Sequence, residues 1–384
     1  MRGVTEALDR RLRRRAEPPI CVALSGGGDS LALLLAAADW AVFAGRRLRV
    51  LTVDHGLNPD SGDWTRFCAA AAARVGADFE ALHWTGDKPG TGLPAAARQA
   101  RHRLLADAAR AVGARAVLLG HTADDLTEAA RMRAAGSTTP SPREWSPSPA
   151  WPEGRGVFLL RPLLRESRTE LRDWLTARGE TWIDDPANVD LRYARARARV
   201  QDGPGLAQEH EADPEFAMNA VEQAGGLRIP RRFITRTGLG AALLCAAGTN
   251  RPPRGERLDR LVEALEGSAP VRATLAGAAV IAERDAVLII REPGRAGLPQ
   301  AAGDGVWDGR YEVHAPGWAV RPLSGLAARL PHADLAAVRE LHPAARGVLP
   351  VLVNAEGAVR LPTRDEAQPL ALDRLRAACG AVTT

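Results

Sequence analysis

Three carboxylates in the stretch GHTADDLTE could act on a positively charged substrate: Asp124, Asp125 and Glu128. Asp125 and Glu128 are three residues apart, so on a helix they would share one face. A carboxylate pair of this kind can bind a cation or accept a proton. The alternative is an acidic first turn that complements the helix dipole, and the spacing alone favours that alternative.

A second candidate site is the run SGGGDS at residues 25–30, which separates a short apolar segment from an apolar segment with helical spacing. Glycines let a ligand approach the backbone N–H groups, and the positive end of a helix dipole favours anions there. The run therefore predicts a phosphate cradle beside Asp29. It has neither the Walker spacing with its lysine nor the G-x-G-x-x-G spacing of dinucleotide sites. A close crossing between a strand and a helix is the alternative.

Alternating strands and helices must position these residues. The predicted strands are residues 20–24, 48–53, 79–84 and 116–120, and the predicted helices are residues 30–44, 60–75, 93–112 and 124–133. This alternation indicates an α/β fold with a doubly wound parallel sheet. A Ser/Pro-rich loop is expected at 136–157, then a strand in FLLRPLL and a helix at 167–178 that begins with the capping-box spacing of Ser167 and Glu170.

The predicted sheet brings both candidate sites to one rim. Residues 25–30 follow the first strand, Asp54 and His55 end the second, and Gly120 to Asp125 follow the fourth. Ligands bind beyond the carboxyl ends of the strands in such sheets. Because a mere strand-to-helix crossing would need no carboxylates around it, this convergence favours the functional interpretation of both the glycines and the carboxylates.

Length and composition predict a multidomain protein of the cytoplasm. The chain has 384 residues, of which 46% are hydrophobic. We divide it into a catalytic domain at 1–202, a linker and central substrate-binding region at 203–303, and a small C-terminal α+β domain at 304–384, with strands near 311–321 and 349–361. The longest apolar stretch, at 31–44, contains Asp39 and is too short to span a bilayer, and no signal-peptide pattern follows the arginines at 10–15.

Net charge and cysteine spacing limit the classes of binding partner and of metal or redox site. A net charge of +5 is compatible with a nucleic-acid partner but is weak support for one. The four cysteines, at 21, 68, 245 and 379, form no C-x-x-C pair, which argues against a zinc ribbon, an iron–sulfur cluster or a redox pair. We expect them to be buried apolar residues.

Six motifs, in order, resemble a known family. SGGGDS after a buried strand resembles the pyrophosphate loop (PP-loop) of the N-type ATP pyrophosphatases, which have a Rossmann-like sheet. With VDHGL, AAARQARHRLL, GHTADDLTE, RPLL and DDPANVDLRY, the chain resembles the bacterial tRNA(Ile)-lysidine synthetases over roughly residues 18–200. WAVRPL and RGVLPVLV extend a weaker similarity to the tail.

The resemblance implies an ATP-dependent ligase that acts on tRNA(Ile) with a CAU anticodon. In this family the 2-oxygen of the wobble cytidine is adenylated, and the side-chain amine of free lysine then attacks the 2-carbon and releases AMP. The implied cofactors are ATP and Mg²⁺, and the implied partners are this tRNA and lysine, with no membrane. The tail domain is then expected to contact tRNA.

The resemblance also implies roles for single residues. Asp125 and Glu128 match positions associated with lysine binding and catalysis, and Asp29 matches the metal-linked aspartate; Asp124 is a second metal candidate. The catalytic set is Asp29, Asp125, Glu128, Arg195 and Arg199. The cofactor-binding set is Ser25, Gly26, Gly27, Gly28, Asp29, Ser30, Asp54, His55, Arg98, Arg101, Gly120 and His121. Arg98 and Arg101 would contact phosphate or tRNA, or form a solvated helix face, and either histidine could simply cap a strand end.

The chain departs from the family pattern at four positions. Thr122 and Leu126 stand in a motif that usually carries other polar residues, and Ala196 and Ala198 replace asparagine and isoleucine between the two retained arginines. These changes keep open a catalytically weakened tRNA- or nucleotide-binding homologue. The enzymatic alternative is tRNA 2-thiolation by a related fold, which generally needs paired cysteines.

Overall fold

The computed structural model describes residues 2–136, 141–184, 213–253, 255–303 and 305–381. The chain divides into two compact units at residue 211. The motifs at 184–199 lie outside the described residues, apart from Asp184. Among the described residues, no helix is both long and apolar enough to cross a membrane.

The first unit alternates strands and helices, as the sequence predicts. Its described helices are α1 (Arg2–Arg11), α2 (Gly28–Ala44), α3 (Ser61–Arg74), α4 (Leu93–Ala111), α5 (Ala123–Ala134) and α6 (Arg168–Ala177). Its described strands are β1 (Ile20–Ala23), β2 (Leu48–Asp54), β3 (Asp78–His83), β4 (Ala116–Leu118), β5 (Trp145–Pro147) and β6 (Phe158–Leu160).

These strands form one mostly parallel sheet in the order β3-β2-β1-β4-β6-β5. Pairing is parallel from β3 to β6, with Val22 on β1 opposite Val50 on β2 and Leu118 on β4. The central strand β1 is buried on both faces at Ile20, Cys21 and Val22, which explains its continuous apolar sequence. The predicted α/β fold class is confirmed.

The Ser/Pro-rich stretch contains a strand that the sequence analysis does not predict. Trp145–Pro147 pairs antiparallel with β6 at the edge of the sheet. Trp145 is buried and stacks on Phe158, with ring centroids 4.7 Å apart and planes 2° from parallel. An edge strand tolerates proline because its outer side needs no ladder hydrogen bonds, so composition alone misses it.

The second unit is built on antiparallel sheets. Its described helices are α7 (Pro214–Met218), α8 (Arg236–Ala247), α9 (Gly255–Glu266), α10 (His332–Arg339), α11 (Pro343–Arg346) and α12 (Ala371–Ala378). Its described strands are β7 (Val221–Gln223), β8 (Gly226–Pro230), β9 (Val271–Leu275), β10 (Ala278–Ala282), β11 (Ala286–Arg291), β12 (Gln300–Ala301), β13 (Gly305–Trp307), β14 (Tyr311–Val313), β15 (Ala319–Pro322), β16 (Pro350–Val353), β17 (Val359–Arg360) and β18 (Ala367–Pro369). The strands form sheets ordered β7-β8-β11-β10-β9, β12-β15-β16-β17 and β13-β14-β18.

One core of the second unit joins distant parts of the sequence. Leu243 on α8, Ile289 on β11 and Leu375 on α12 are fully buried in the same hydrophobic cluster. This cluster therefore includes residues from both sides of the boundary expected near 304, and the three-part division of the chain stays a prediction.

All four cysteines are free and buried, as expected.

Candidate active site

The glycine run forms a tight turn between β1 and α2. Gly26 has a φ of +86°, which favours glycine, and Gly27 is the extended N-cap of a helix that begins at Gly28. The Ser30 hydroxyl accepts a hydrogen bond from the Ser25 backbone N–H at 3.2 Å and donates one to the Gly27 carbonyl at 2.9 Å. Hydrogen bonds of the Ser30 hydroxyl therefore stabilise the turn.

Gly26 and Gly27 differ in how much room the protein leaves for a side chain. A Cβ on Gly26 would lie 2.5 Å from Cδ1 of Ile183, whose N–H donates to the Gly26 carbonyl at 3.0 Å. A Cβ on Gly27 would meet nothing closer than the Ser25 Oγ at 3.8 Å, and its φ of −70° suits any residue. The protein itself therefore leaves room at Gly27, as a cradle for a ligand would.

Gly120, after β4, packs directly on this turn. A Cβ there would lie 3.1 Å from the Asp29 carbonyl oxygen and 3.1 Å from both N and Cα of Ser30. His121 follows Gly120 and is half-buried. The glycine at 120 thus lets the end of β4 approach the first turn of α2.

We expect Gly120→Ala to weaken ATP binding and to destabilise the fold by about 1–2 kcal/mol, because the new methyl group meets backbone atoms that must shift. Nucleotide titration and thermal unfolding measure the two effects. Gly90→Ala is the matched control, since a Cβ at Gly90 meets nothing within 4 Å. Equal ATP affinity for the Gly120 variant and the wild type would contradict this packing argument.

The predicted carboxylates are buried rather than solvated. Asp125 and Glu128 on α5 are 8% and 3% exposed. The Asp125 carboxylate accepts hydrogen bonds from the Thr122 backbone N–H at 2.9 Å and from the Thr122 hydroxyl at 3.2 Å. Asp125 therefore also caps its helix. Thr122, which departs from the family pattern, contributes a polar contact to that cap. Leu126, the other departure in this motif, is half-buried.

Arg168, at the start of α6, joins the carboxylates to the glycine turn. Its Nε donates to Asp29 at 3.0 Å, its Nη1 to Glu128 at 3.3 Å, and its Nη2 lies 3.8 Å from the Asp125 carboxylate. Its backbone N–H donates to the Asp124 carboxylate at 2.8 Å. We call Asp29, Asp124, Asp125 and Glu128 the acid cluster.

These contacts shift the pKa values at the centre of the site. Burial alone would lower the pKa of the Arg168 guanidinium, but the hydrogen bond to Asp29 and the charges of Asp29, Asp125 and Glu128 raise it overall. Burial raises the pKa of Asp29, and Arg168 partly opposes that rise. Arg168 is therefore firmly charged.

Sequence reasoning missed Arg168. Its only signal is the capping box that places it at a helix start; the box is present, with the Ser167 N–H donating to Glu170 at 2.9 Å. No spacing in the sequence links this helix start to residue 29, because the contact depends on how α6 packs.

A basic group lies next to the acid cluster. Arg98 and Arg101 on α4 are half-buried, and their charges, with that of Arg161, add to the burial that lowers the pKa of His102 to about 2. Arg161 is buried, and its Nη1 donates to the Arg143 carbonyl at 2.7 Å. Burial lowers the pKa of Arg161 to about 10, and the charge of Asp125 opposes this shift.

The end of β2 contributes the remaining predicted residues. Asp54 accepts from the Gly56 N–H at 2.8 Å and so caps its own turn. The His55 ring meets Trp84 edge-on, with centroids 5.9 Å apart. Burial, with the charge of Arg101, lowers the pKa of His55, so the ring is neutral near pH 7.

The structure thus gathers Ser25–Ser30, Gly120 and the acid cluster around one turn. Arg195 and Arg199, with Ala196 and Ala198, lie outside the described residues. Within the described ranges, no group of three or more His, Cys, Asp or Glu side chains is arranged to hold a metal ion. The roles of the individual residues, including Asp29 and Asp124 as metal ligands, stay predictions.

Comparison with known proteins agrees with this geometry. A family model described as a PP-loop domain matches residues 3–205. The chain is 51% identical over 363 residues to a tRNA(Ile)-lysidine synthase of Caulobacter vibrioides, covering 92% of this chain and 88% of that protein. It is 35% identical to a tRNA(Ile)-lysidine synthase of Hyphomonas neptunium over 73% of this chain and 83% of that protein. The chain belongs to the tRNA(Ile)-lysidine synthase family, within the PP-loop proteins.

Proposed function

We propose that this protein ligates free lysine to the 2-carbon of the wobble cytidine in tRNA(Ile) with a CAU anticodon, using ATP. One observation carries the proposal: the Arg168 side chain links the glycine turn to two buried carboxylates. A phosphate cradle suits ATP, and the carboxylates suit the amine of lysine. Because its substrate is tRNA, we place the enzyme in the cytoplasm.

The glycine turn serves the first step. The cytosine 2-oxygen attacks the α-phosphorus of ATP, an adenylated tRNA forms, and pyrophosphate leaves. Backbone N–H groups at the start of α2 and the helix dipole would stabilise the leaving pyrophosphate. The bare Gly27 position leaves room for the phosphates to approach.

A magnesium ion fits the donors at this turn. Magnesium typically binds through one or two carboxylates together with substrate phosphates, and would neutralise charge on the pyrophosphate. Asp29, in the first turn of α2, is the carboxylate beside the glycines, and one of its oxygens accepts from Arg168. Asp124 is the second candidate, although its carboxylate accepts from the α6 backbone.

Asp125 and Glu128 serve the second step. The lysine side-chain nitrogen forms a bond to the 2-carbon, the bond from that carbon to the adenylated oxygen breaks, and AMP leaves. The amine must lose a proton to attack, and a buried carboxylate pair can hold it and accept that proton. The neighbouring arginines Arg98, Arg101 and Arg161 would hold phosphate or tRNA backbone.

The cysteines do not favour the thiolation alternative. All four are free and buried. Burial raises the pKa of Cys21 to about 12 and that of Cys245 to about 11, so neither thiol readily supplies the thiolate that sulfur transfer needs. Pyrophosphate release that requires tRNA(Ile) and is followed by lysine-dependent AMP release tests the proposal against both alternatives.

We expect truncation after residue 202 to weaken tRNA binding far more than ATP binding, because the downstream regions are proposed to contact tRNA. The binding of the full chain should fall as salt rises, since neutralised phosphates release counterions. Filter binding at several salt concentrations and nucleotide titration compare the two proteins. Equal tRNA affinity with and without residues 203–384 would refute the assignment of tRNA binding to those residues.

A further inference from the structure

Arg168 is the one described side chain shown to contact both the glycine-turn carboxylate and the two buried carboxylates of α5. We propose that Arg168 is a positioning residue for lysine attack, which holds Asp125 and Glu128 at a fixed distance from Asp29. This inference rests on the proposed function. Nothing in the motif resemblance assigns Arg168 a role.

The geometry requires arginine rather than any cation. Asp29 comes from α2, whereas Asp125 and Glu128 come from α5, and like charges this close repel. A guanidinium is planar and presents donors in several fixed directions, so one side chain can bridge carboxylates from two helices. Lysine would carry the same charge at a single point.

Arg168 is one of several cations around the acid cluster. The charge of Arg172 acts on Asp29, and the charges of Arg161 and Asp125 act on each other. Among the described residues, Arg168 is the cation whose side chain is shown to link the carboxylate of α2 to those of α5.

The side chain of Arg168 is not needed to form its helix. The start of α6 is capped by Ser167 and Glu170, with the Ser167 hydroxyl to Glu170 at 2.7 Å. The bond to Asp124 uses the Arg168 backbone N–H, which any residue but proline retains. The Arg168 side chain is 19% exposed, so its removal opens space toward solvent rather than a sealed cavity.

The test compares Arg168→Met and Arg168→Lys with Arg178→Met. Arg178 lies at the end of the same helix and pairs with Asp39 at the surface at 3.4 Å, so it controls for loss of an arginine from α6. For each protein we would measure the KM for lysine, the KM for ATP, kcat and the thermal midpoint. Arg168→Lys retains the charge and keeps the test informative if Arg168→Met unfolds.

We expect Arg168→Met to raise the KM for lysine about 10- to 100-fold, as loss of one or two charge-assisted hydrogen bonds would. The KM for ATP should change less, Arg168→Lys should be intermediate, and Arg178→Met should match the wild type. An unchanged lysine KM in both Arg168 variants would overturn the inference. A lower lysine KM would also overturn it, since Arg168 would then compete with the amine. If the wild type forms no lysidine, the proposed function itself fails and this inference fails with it.

Discussion

Asp125→Asn and Glu128→Gln should each accumulate adenylated tRNA in the presence of ATP and lysine. The first step needs only the nucleotide, the metal and the cytosine oxygen, whereas the second needs an amine that is held and deprotonated. The pKa of a free lysine amine is ~10.4, so almost all of it carries a proton near pH 7. Loss of a general base typically lowers a rate by about 10² to 10⁴, and we expect a loss of that size in lysine transfer.

The measurement is a single-turnover assay that follows pyrophosphate and AMP separately. Asp173→Asn is the matched control, because Asp173 is an exposed carboxylate on α6. Asparagine at 125 can still accept the hydrogen bonds from Thr122, so the start of α5 should survive. If the two variants release no pyrophosphate at all, the carboxylates belong to the metal site or to the fold, and our division of roles is wrong.

Gly27→Val should lower ATP affinity by about 100-fold or more and leave the protein folded, because a side chain in the cradle displaces phosphate from the backbone donors. The surroundings of Gly27 allow this variant to test ligand binding separately from folding. A Cβ at Gly27 meets only Ser25 Oγ at 3.8 Å and the Ile183 carbonyl oxygen at 3.9 Å, so the first side-chain atom has room among the described residues. Isothermal titration with ATP and thermal unfolding separate binding from stability.

Gly90→Val is the control for the β-branched side chain, since the position is exposed and open. We expect it to bind ATP like the wild type. Wild-type ATP affinity in Gly27→Val would show that the nucleotide binds elsewhere, and the glycine turn would then be a structural crossing only.

The sheet and its glycine turn could be predicted because their signals are local. The apolar run before Ser25 predicts a buried strand, and the predicted bounds of β1–β4 and α2–α5 lie within two residues of the observed ones, whereas α1 was not predicted. Asp125 and Glu128 share a helix face for the same local reason. Their burial, and the Arg168 side chain that links them to Asp29, are consistent with the predicted site, whose residue roles stay predictions.

The features that escaped prediction depend on tertiary packing. Arg168 reaches Asp29 only because α6 begins beside α5, across 139 residues of sequence. The edge strand at Trp145–Pro147 forms because Trp145 stacks on Phe158, although its prolines suggest a loop. The close approach of Gly120 to Asp29 and Ser30 likewise exists only once β4 lies beside β1.

The most direct test of the account is to incubate the protein with ATP, labelled lysine and tRNA(Ile) carrying a CAU anticodon, and then to identify the labelled nucleoside after digestion. We predict label at the wobble cytidine only, with one AMP and one pyrophosphate released for each lysine incorporated, and no label in a tRNA whose wobble base is not cytidine. ATP turnover with no lysine in the tRNA would contradict the account.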